Sequence, residues 1–441
     1  MHKLFAVICL LSASFFVFPE ALAAAAIRVP QDRSSIQEAI NATANGDTIL
    51  VSPGTYTGSV NLNKGVTLQA TSYDSANPKN NQTIIEGDLS LRGAITIPSG
   101  VNPQPRIVGF WIRNSSSDPY YSGTFSNSPY IIESSYLTSA GDLSEYERGS
   151  GGLARNNVYE GAGDDGIDLD NQVANIIIEG NHFLNSRQDG IEMRFQDDKI
   201  TNTVDVIIRN NKFEANGQSS NGGDGIQFID YGTDTNRRIT IERNLFLNNK
   251  SSGIGLMCCQ NTIENFEAAS VREEIRVINN TFVGNNYGLT GGDNLLALNN
   301  IFVNTTNLAV KNVDNKSKVS YNLFYANGAN FSGSNVDGTT TLLLDPKLTA
   351  DYSLSAGSPA IDQGSSTFSW QNIFGQNVNI NISSFQGSSP DLGWSEGGLI
   401  GPTIPPQPAS NPSPTQPFST PPPAVEPTLP SIATGKFYVC W

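Results

Sequence analysis

An Asn-x-aromatic triplet recurs through the middle of the chain: Asn157-Val158-Tyr159, Asn181-His182-Phe183, Asn211-Lys212-Phe213, Asn244-Leu245-Phe246, Asn280-Thr281-Phe282, Asn300-Ile301-Phe302 and Asn322-Leu323-Phe324. The intervals are 24, 30, 33, 36, 20 and 22 residues. Most copies follow an alternating strand such as Ile176 to Glu179. They precede a second strand opened by glycine, as in Gly166-Ile167-Asp168-Leu169, Gly190-Ile191-Glu192-Met193, Gly225-Ile226-Gln227-Phe228 and Gly253-Ile254-Gly255-Leu256. Alternation turns Ile167 with Leu169, Ile191 with Met193, and Ile226 with Phe228 to one face. A single coil cannot bury that face, whereas stacked copies form a continuous core and pair every backbone edge. A column of asparagines fits such stacking, because each amide can bond its own turn and the copies above and below. Strands, tight turns and a coil of about 20 to 24 residues predict a parallel β-solenoid. Leucine-rich repeats share this period, but their L-x-x-L-x-L pattern and helical half are missing.

Composition narrows the partners. Hydrophobic residues make up 38% and charged residues 15%, with 41 glycines, which excludes both a helical bundle and a disordered polyelectrolyte. A net charge of −15 leaves no basic surplus for nucleic acid or an anionic membrane. An acidic partner would need a divalent cation between it and this chain. Only His2 and His182 are present, so a zinc site of several imidazoles is excluded. His2 and Lys3, the apolar run Leu4 to Phe18 and Ala21-Leu22-Ala23 read as a signal peptide over 1–23, which predicts a secreted, extracellular protein, with periplasm or cell surface as variants. That run is short for a membrane span and no later stretch qualifies. Cys258, Cys259 and Cys440 stand at no metal-like spacing. Residues 24–401 are assigned to the solenoid. Twelve prolines mark 402–431 as an extended, disordered linker, and 432–441 is a short stub. A monomer is expected.

The amino end carries Ile27-Arg28-Val29-Pro30, then Ser35-Ile36-Gln37-Glu38-Ala39-Ile40, then Gly46-Asp47-Thr48 through to Pro53-Gly54-Thr55-Tyr56. Ser35 and Glu38 form a capping box for a short helix able to close the open end of the stack. With the Asn-x-aromatic coils, these segments resemble the right-handed parallel β-helix superfamily that contains pectate lyases. Ser358 to Gly364 and Pro390-Asp391-Leu392-Gly393 resemble the last coils of secreted members. The resemblance spans about residues 27 to 395 and implies an all-β right-handed parallel β-helix.

Aligning the coils on their glycines exposes an acidic column. Asp165, Asp189 and Asp224 precede the glycine, and Asp168, Glu192 and Gln227 follow two residues after it. Asp142 and Glu145 repeat the spacing one coil earlier, and Asp164 and Asp170 add two acids. Neighbouring strands lie about 4.8 Å apart, so these carboxylates crowd one face. Crowding of this kind is relieved by protonation or by a cation, and oxygen ligands without thiolate or imidazole suit Ca²⁺. Asp164-Asp165-Gly166-Ile167-Asp168-Leu169 is similar to the calcium motif of family nine pectate lyases. The resemblance implies Asp142, Asp164, Asp165 and Asp168 as Ca²⁺ ligands, and the acidic column adds Asp189. It implies an acidic polysaccharide as partner and β-elimination as the reaction. The catalytic lysine of that family is replaced by Glu192, which leaves Arg194 as candidate base. Alginate epimerases share the fold, but their Gly-x-Asp-x-His signature meets Asp170 where the histidine would stand. Glu192, Tyr231, Arg237 and Arg238 are candidate substrate contacts, beside loops expected to wall a cleft. Three readings stand open: a Ca²⁺-assisted polyuronate lyase, a glycan- or surface-binding solenoid with structural calcium, and a glycoside hydrolase using a pair such as Asp168 and Glu192.

Overall fold

A computed structural model of the chain describes residues 26–114, 121–196, 204–218, 223–232, 234–257 and 271–397. The expected signal peptide, linker and stub lie outside these residues, as do Cys258, Cys259 and Cys440. Each coil contributes to three parallel sheets. In the coil around Asn181 these strands are Ile176–Glu179 in the first sheet, His182–Leu184 in the second and Ile191–Phe195 in the third. The sheets run to twelve, eleven and eleven strands. Successive coils pair in register, Ile177 with Ile207, Phe183 with Phe213 and Ile191 with Ile226. The expectation of two strands per coil is corrected to three. The additional strand begins inside the triplet, just after its asparagine, and its three residues are too few for alternation to show in the sequence.

The asparagine ladder is continuous. Asn181 Nδ2 donates to Asn211 Oδ1 at 3.0 Å and to Ala154 O at 2.9 Å, while its Oδ1 accepts the Asn157 N–H. The same pattern continues through Asn244, Asn280 and Asn300 to Asn322. The residue before the ladder turns the corner in the left-handed region, with φ of 54° to 58° at Asn156, Asn210, Asn279 and Asn299. Asparagine tolerates that conformation better than most residues, which accounts for the Asn-Asn doublets. Inside the corner, rings stack from Tyr159 to Phe324 with centroids 4.6 to 5.1 Å apart. The glycine that opens each third-sheet strand makes room for this stack. A Cβ at Gly190 would lie 2.6 Å from Gly225 O and 2.7 Å from the Phe213 ring. A second ladder, Asn216, Asn249 and Asn285, closes the next corner at 2.9 to 3.0 Å.

The helix α1 (Ile36–Ala42) seats Ile36, Ala39 and Ile40 in the core beside the first strands, and Ser35 Oγ accepts the Glu38 N–H at 3.2 Å. The Glu38 carboxylate accepts from both the N–H and the hydroxyl of Ser34, one residue ahead of the N-cap. At the other end the chain doubles back over the outside. An antiparallel hairpin, Thr367–Gln371 with Asn377–Asn381, packs Trp370, Val378 and Ile380 on the outward Ile278, Leu296 and Leu298. This cover explains why Leu295-Leu296-Ala297-Leu298 is apolar on both faces. Ala360 and Leu392, expected in closing coils, also pack against the outer side chains Ile301, Val303 and Leu323. Elsewhere the outer first sheet carries a file of alternating charge in register: Glu133, Arg155, Glu179, Arg209 and Glu242. Its bridges include Arg155 to Glu179 at 2.5 Å and Arg209 to Glu179 at 2.7 Å. Among the described residues no helix is long and apolar enough to cross a membrane.

Candidate functional site

The acids gather on the third sheet and on the corner that leads into it. Asp142, Asp165, Asp189 and Asp224 stand on successive corners, each before the third-sheet strand. They form a ladder of their own: Asp165 N–H donates to Asp142 Oδ1 at 3.0 Å, Asp189 N–H to Asp165 Oδ1 at 2.7 Å, and Asp224 N–H to Asp189 Oδ1. Ser252 N–H closes the series on Asp224 Oδ1 at 2.5 Å. One oxygen of each carboxylate therefore serves the backbone of the next coil, which is why this column survives burial. Asp168 and Glu192 occupy matching positions on adjacent strands, flanked by Glu145 and Gln227. Asp165, Asp168, Asp189 and Glu192 are all 5% exposed or less.

Three sets of carboxylates converge, each with oxygens within 4.8 Å of one another: Asp142, Asp164 and Asp165; Asp165, Asp189 and Glu192; and Glu145, Glu147 and Asp170. Burial and then the Asp164 charge push Asp142 up to about 8. Burial, with Glu192, Asp189 and Asp142 adding to it, raises Asp165 far above the ordinary carboxylate range. Asp189 is raised by burial and by Asp224. Glu192 is pushed up to about 7 by burial, with Arg194 opposing. Five acids so placed cannot all hold their charge without protons or a cation among them. The donors are hard oxygens from three successive coils, with no sulfur or imidazole among them, and this set fits a Ca²⁺ ion.

Asp168 is brought to Arg194 instead. Arg194 Nη1 donates to Asp168 Oδ2 at 2.9 Å and to Asp170 Oδ1 at 2.5 Å, and Nη2 meets Glu192. Burial lowers the guanidinium's affinity for its proton, but Asp168, Glu192 and Asp170 outweigh it and the pKa rises. Tyr231 lies beside Arg194, its hydroxyl raised by burial. Arg237 and Arg238 are not brought to this face. Arg237 is buried, with Nε on Val173 O at 2.8 Å, and Arg238 lies on the first sheet, paired with Asp205 at 2.5 Å. The loops expected to wall a cleft fall largely outside the described residues. A groove of 800 Å³ lies on the first sheet between Arg209, Arg243 and the hairpin, not over the acids. Sequence reasoning missed Glu147 and Arg92, which meet each other at 3.4 Å beside Glu145. Neither lies in the aligned column, and only the coil geometry joins them.

The model for a right handed beta helix region matches residues 109–302. The chain is a right-handed parallel β-helix. No curated protein matches its sequence. Among solved structures the β-helix is similar to the pectate lyase Pel9A, at 16% identity over 85% of this chain and 97% of that one, with a TM-score of 0.47. It is also similar to a PL6 family polysaccharide lyase from Pseudopedobacter saltans, at 13% identity, 74% and 94% coverage and a TM-score of 0.37. The A-module of a mannuronan C-5 epimerase from Azotobacter vinelandii follows at 15%, 73% and 98%, and 0.33. These likenesses are of fold.

Proposed function

We propose that the third-sheet face binds an acidic polysaccharide with Ca²⁺ held by Asp142, Asp164 and Asp165, and with Asp189 and Glu192 as adjoining donors. The convergence of three carboxylates from two coils to within 4.8 Å carries this reading. A bound divalent cation would neutralise a uronate carboxylate and acidify the neighbouring C–H, the chemistry that β-elimination needs. Arg194 is poorly suited to be the base of that elimination. A base must first give up its own proton, and three carboxylates hold this guanidinium in its charged form. Its part in this reading is a fixed positive charge that positions Asp168, Asp170 and Glu192. Binding without cleavage therefore fits the residues better than elimination. A second reading, glycoside hydrolysis, has one observation in its favour: Glu192, pushed up to about 7 and so able to carry a proton, lies opposite Asp168 on the adjacent strand.

The test is incubation with polygalacturonate and with alginate, in Ca²⁺ and in EDTA, followed by three readouts. Retardation of the protein in polymer-containing gels that needs Ca²⁺, with no product, supports the reading. Absorbance from unsaturated uronates would reinstate elimination, and new reducing ends without that absorbance would favour hydrolysis. Mobility indifferent to every acidic polymer sinks the proposal.

A further inference from the structure

We infer that a second carbohydrate contact, sized for one neutral pyranose residue, lies where the turn of the carboxy-terminal hairpin meets the first sheet. The inference rests on the reading above only in choosing a sugar among small hydroxylated ligands. A cavity of 290 Å³ opens there, lined by Arg237, Glu273, Asn372, Phe374 and Gln376 among others. Two of its charged side chains, Arg237 and Glu273, are only 3% and 2% exposed. Each is partly committed to the fold. Arg237 Nε donates to Val173 O at 2.8 Å and Nη2 to Asn171 O, while Glu273 Oε1 accepts the Thr235 N–H at 2.9 Å and the Thr235 hydroxyl at 2.7 Å. Arg237 Nη1 and Glu273 Oε2 remain, both buried and without a hydrogen-bond partner. Buried polar atoms of charged groups are rarely left so, because the desolvation cost is not recovered.

The ligand's chemistry follows from what these two atoms need. One free donor and one free acceptor, carried by two side chains that line the cavity, match a pair of neighbouring hydroxyls, one accepting from Arg237 and the other donating to Glu273. An anion would meet the carboxylates of Glu273, Glu274 and Asp234, and a cation would meet Arg237 and Arg238, so a neutral group is selected. Phe374, 42% exposed at the hairpin turn, offers an apolar ring for the C–H face of a sugar. Arg272 lies over that ring, 5.4 Å from its centroid. The volume is at the small end of ligand pockets, which suits one ring and not a chain.

Saturation-transfer NMR on the full chain, with methyl glycosides of glucose, galactose, mannose and N-acetylglucosamine in EDTA, tests the site. At least one glycoside should show transfer that persists in Asp165→Asn and weakens at least tenfold in Phe374→Ala, a position exposed enough to leave folding intact. Glu273→Gln keeps an oxygen for Thr235 and should weaken binding to a similar degree without lowering the melting temperature. No binding in EDTA, or binding indifferent to both variants, overturns the inference. Binding lost in EDTA and in Asp165→Asn places the sugar on the acidic face, which overturns this site and leaves the proposed function standing. EDTA-resistant binding without retardation by acidic polymers does the reverse.

Discussion

Asp165→Asn separates the two tasks of the acidic corner. The carboxylate accepts the Asp189 N–H at 2.7 Å and also belongs to two of the three converging sets. An asparagine keeps an oxygen for the first task and removes the charge needed for the second. In the metal-free protein the crowded acids weaken folding as they ionise. Asp142 is pushed up to about 8, so its favourable contribution is complete below the ordinary carboxylate range and is lost as pH rises through about 8. The displacement from 3.8 to about 8 corresponds to about 6 kcal/mol as an upper bound. Asp165 is itself raised far above the ordinary carboxylate range by burial and by Glu192, Asp189 and Asp142, so replacing it with a neutral amide should return about 1–3 kcal/mol at pH 8 and close to nothing at pH 4. Ca²⁺ at a hundred times its dissociation constant should stabilise the wild type by about 2.7 kcal/mol, and the variant by less than about 0.5 kcal/mol. Urea melts at pH 4 and pH 8, in EDTA and in Ca²⁺, read both quantities. A variant that keeps the full calcium increment, or is less stable than wild type at pH 8 in EDTA, would refute the reasoning.

Replacing Arg194 by Gln removes a positive charge beside the acids and frees Glu192, the one proposed donor it bonds, so calorimetry should show Ca²⁺ binding several-fold tighter; weaker binding would mean that its positioning of Glu192 outweighs its charge. Asn211→Ala deletes bonds to Ile178 O and Asn244 and strands the Asn181 N–H, which should cost about 3–5 kcal/mol in urea melts. Burial raises Glu214, but His182 and Lys212 hold it down to about 2, so its stabilisation is present above pH 4.5 and is lost as pH falls towards 2. With solvent screening at this part-exposed group, Glu214→Gln should flatten that acid limb by about 1–2 kcal/mol, checked by melts from pH 5 to pH 2.

The coil was legible because one residue type repeats wherever the same corner is turned. The Asn-x-aromatic triplet marks both the first ladder and the ring stack, and its intervals count the coils. The second ladder carries a signal that was available and unused: Asn216, Asn249 and Asn285 each stand five residues after a ladder asparagine. The hairpin was illegible because its reason lies in Leu296 and Leu298, apolar where an outer face should be polar, and no local pattern says what covers them. At the acidic face, spacing brought the right acids to one sheet. It could not show that Asp165 and Asp189 divide their oxygens between backbone and neighbours, nor that Arg194 is clamped by Asp168, Asp170 and Glu192. Those facts depend on side-chain direction across coils 24 and more residues apart.

Coils whose inner residues are nearly interchangeable invite mispairing. Ile178 would sit as well against Ile241 as against its true neighbour Ile208, so the core cannot detect a skipped turn. The outer first sheet can. Omitting the Arg155 coil sets Glu133 against Glu179, and omitting the Glu179 coil sets Arg155 against Arg209, so a skipped turn puts a repulsion at the place where it falls. The exposed charges thus act as an error-detecting code, written on the outside of the molecule, for a winding that its interior would accept in either form.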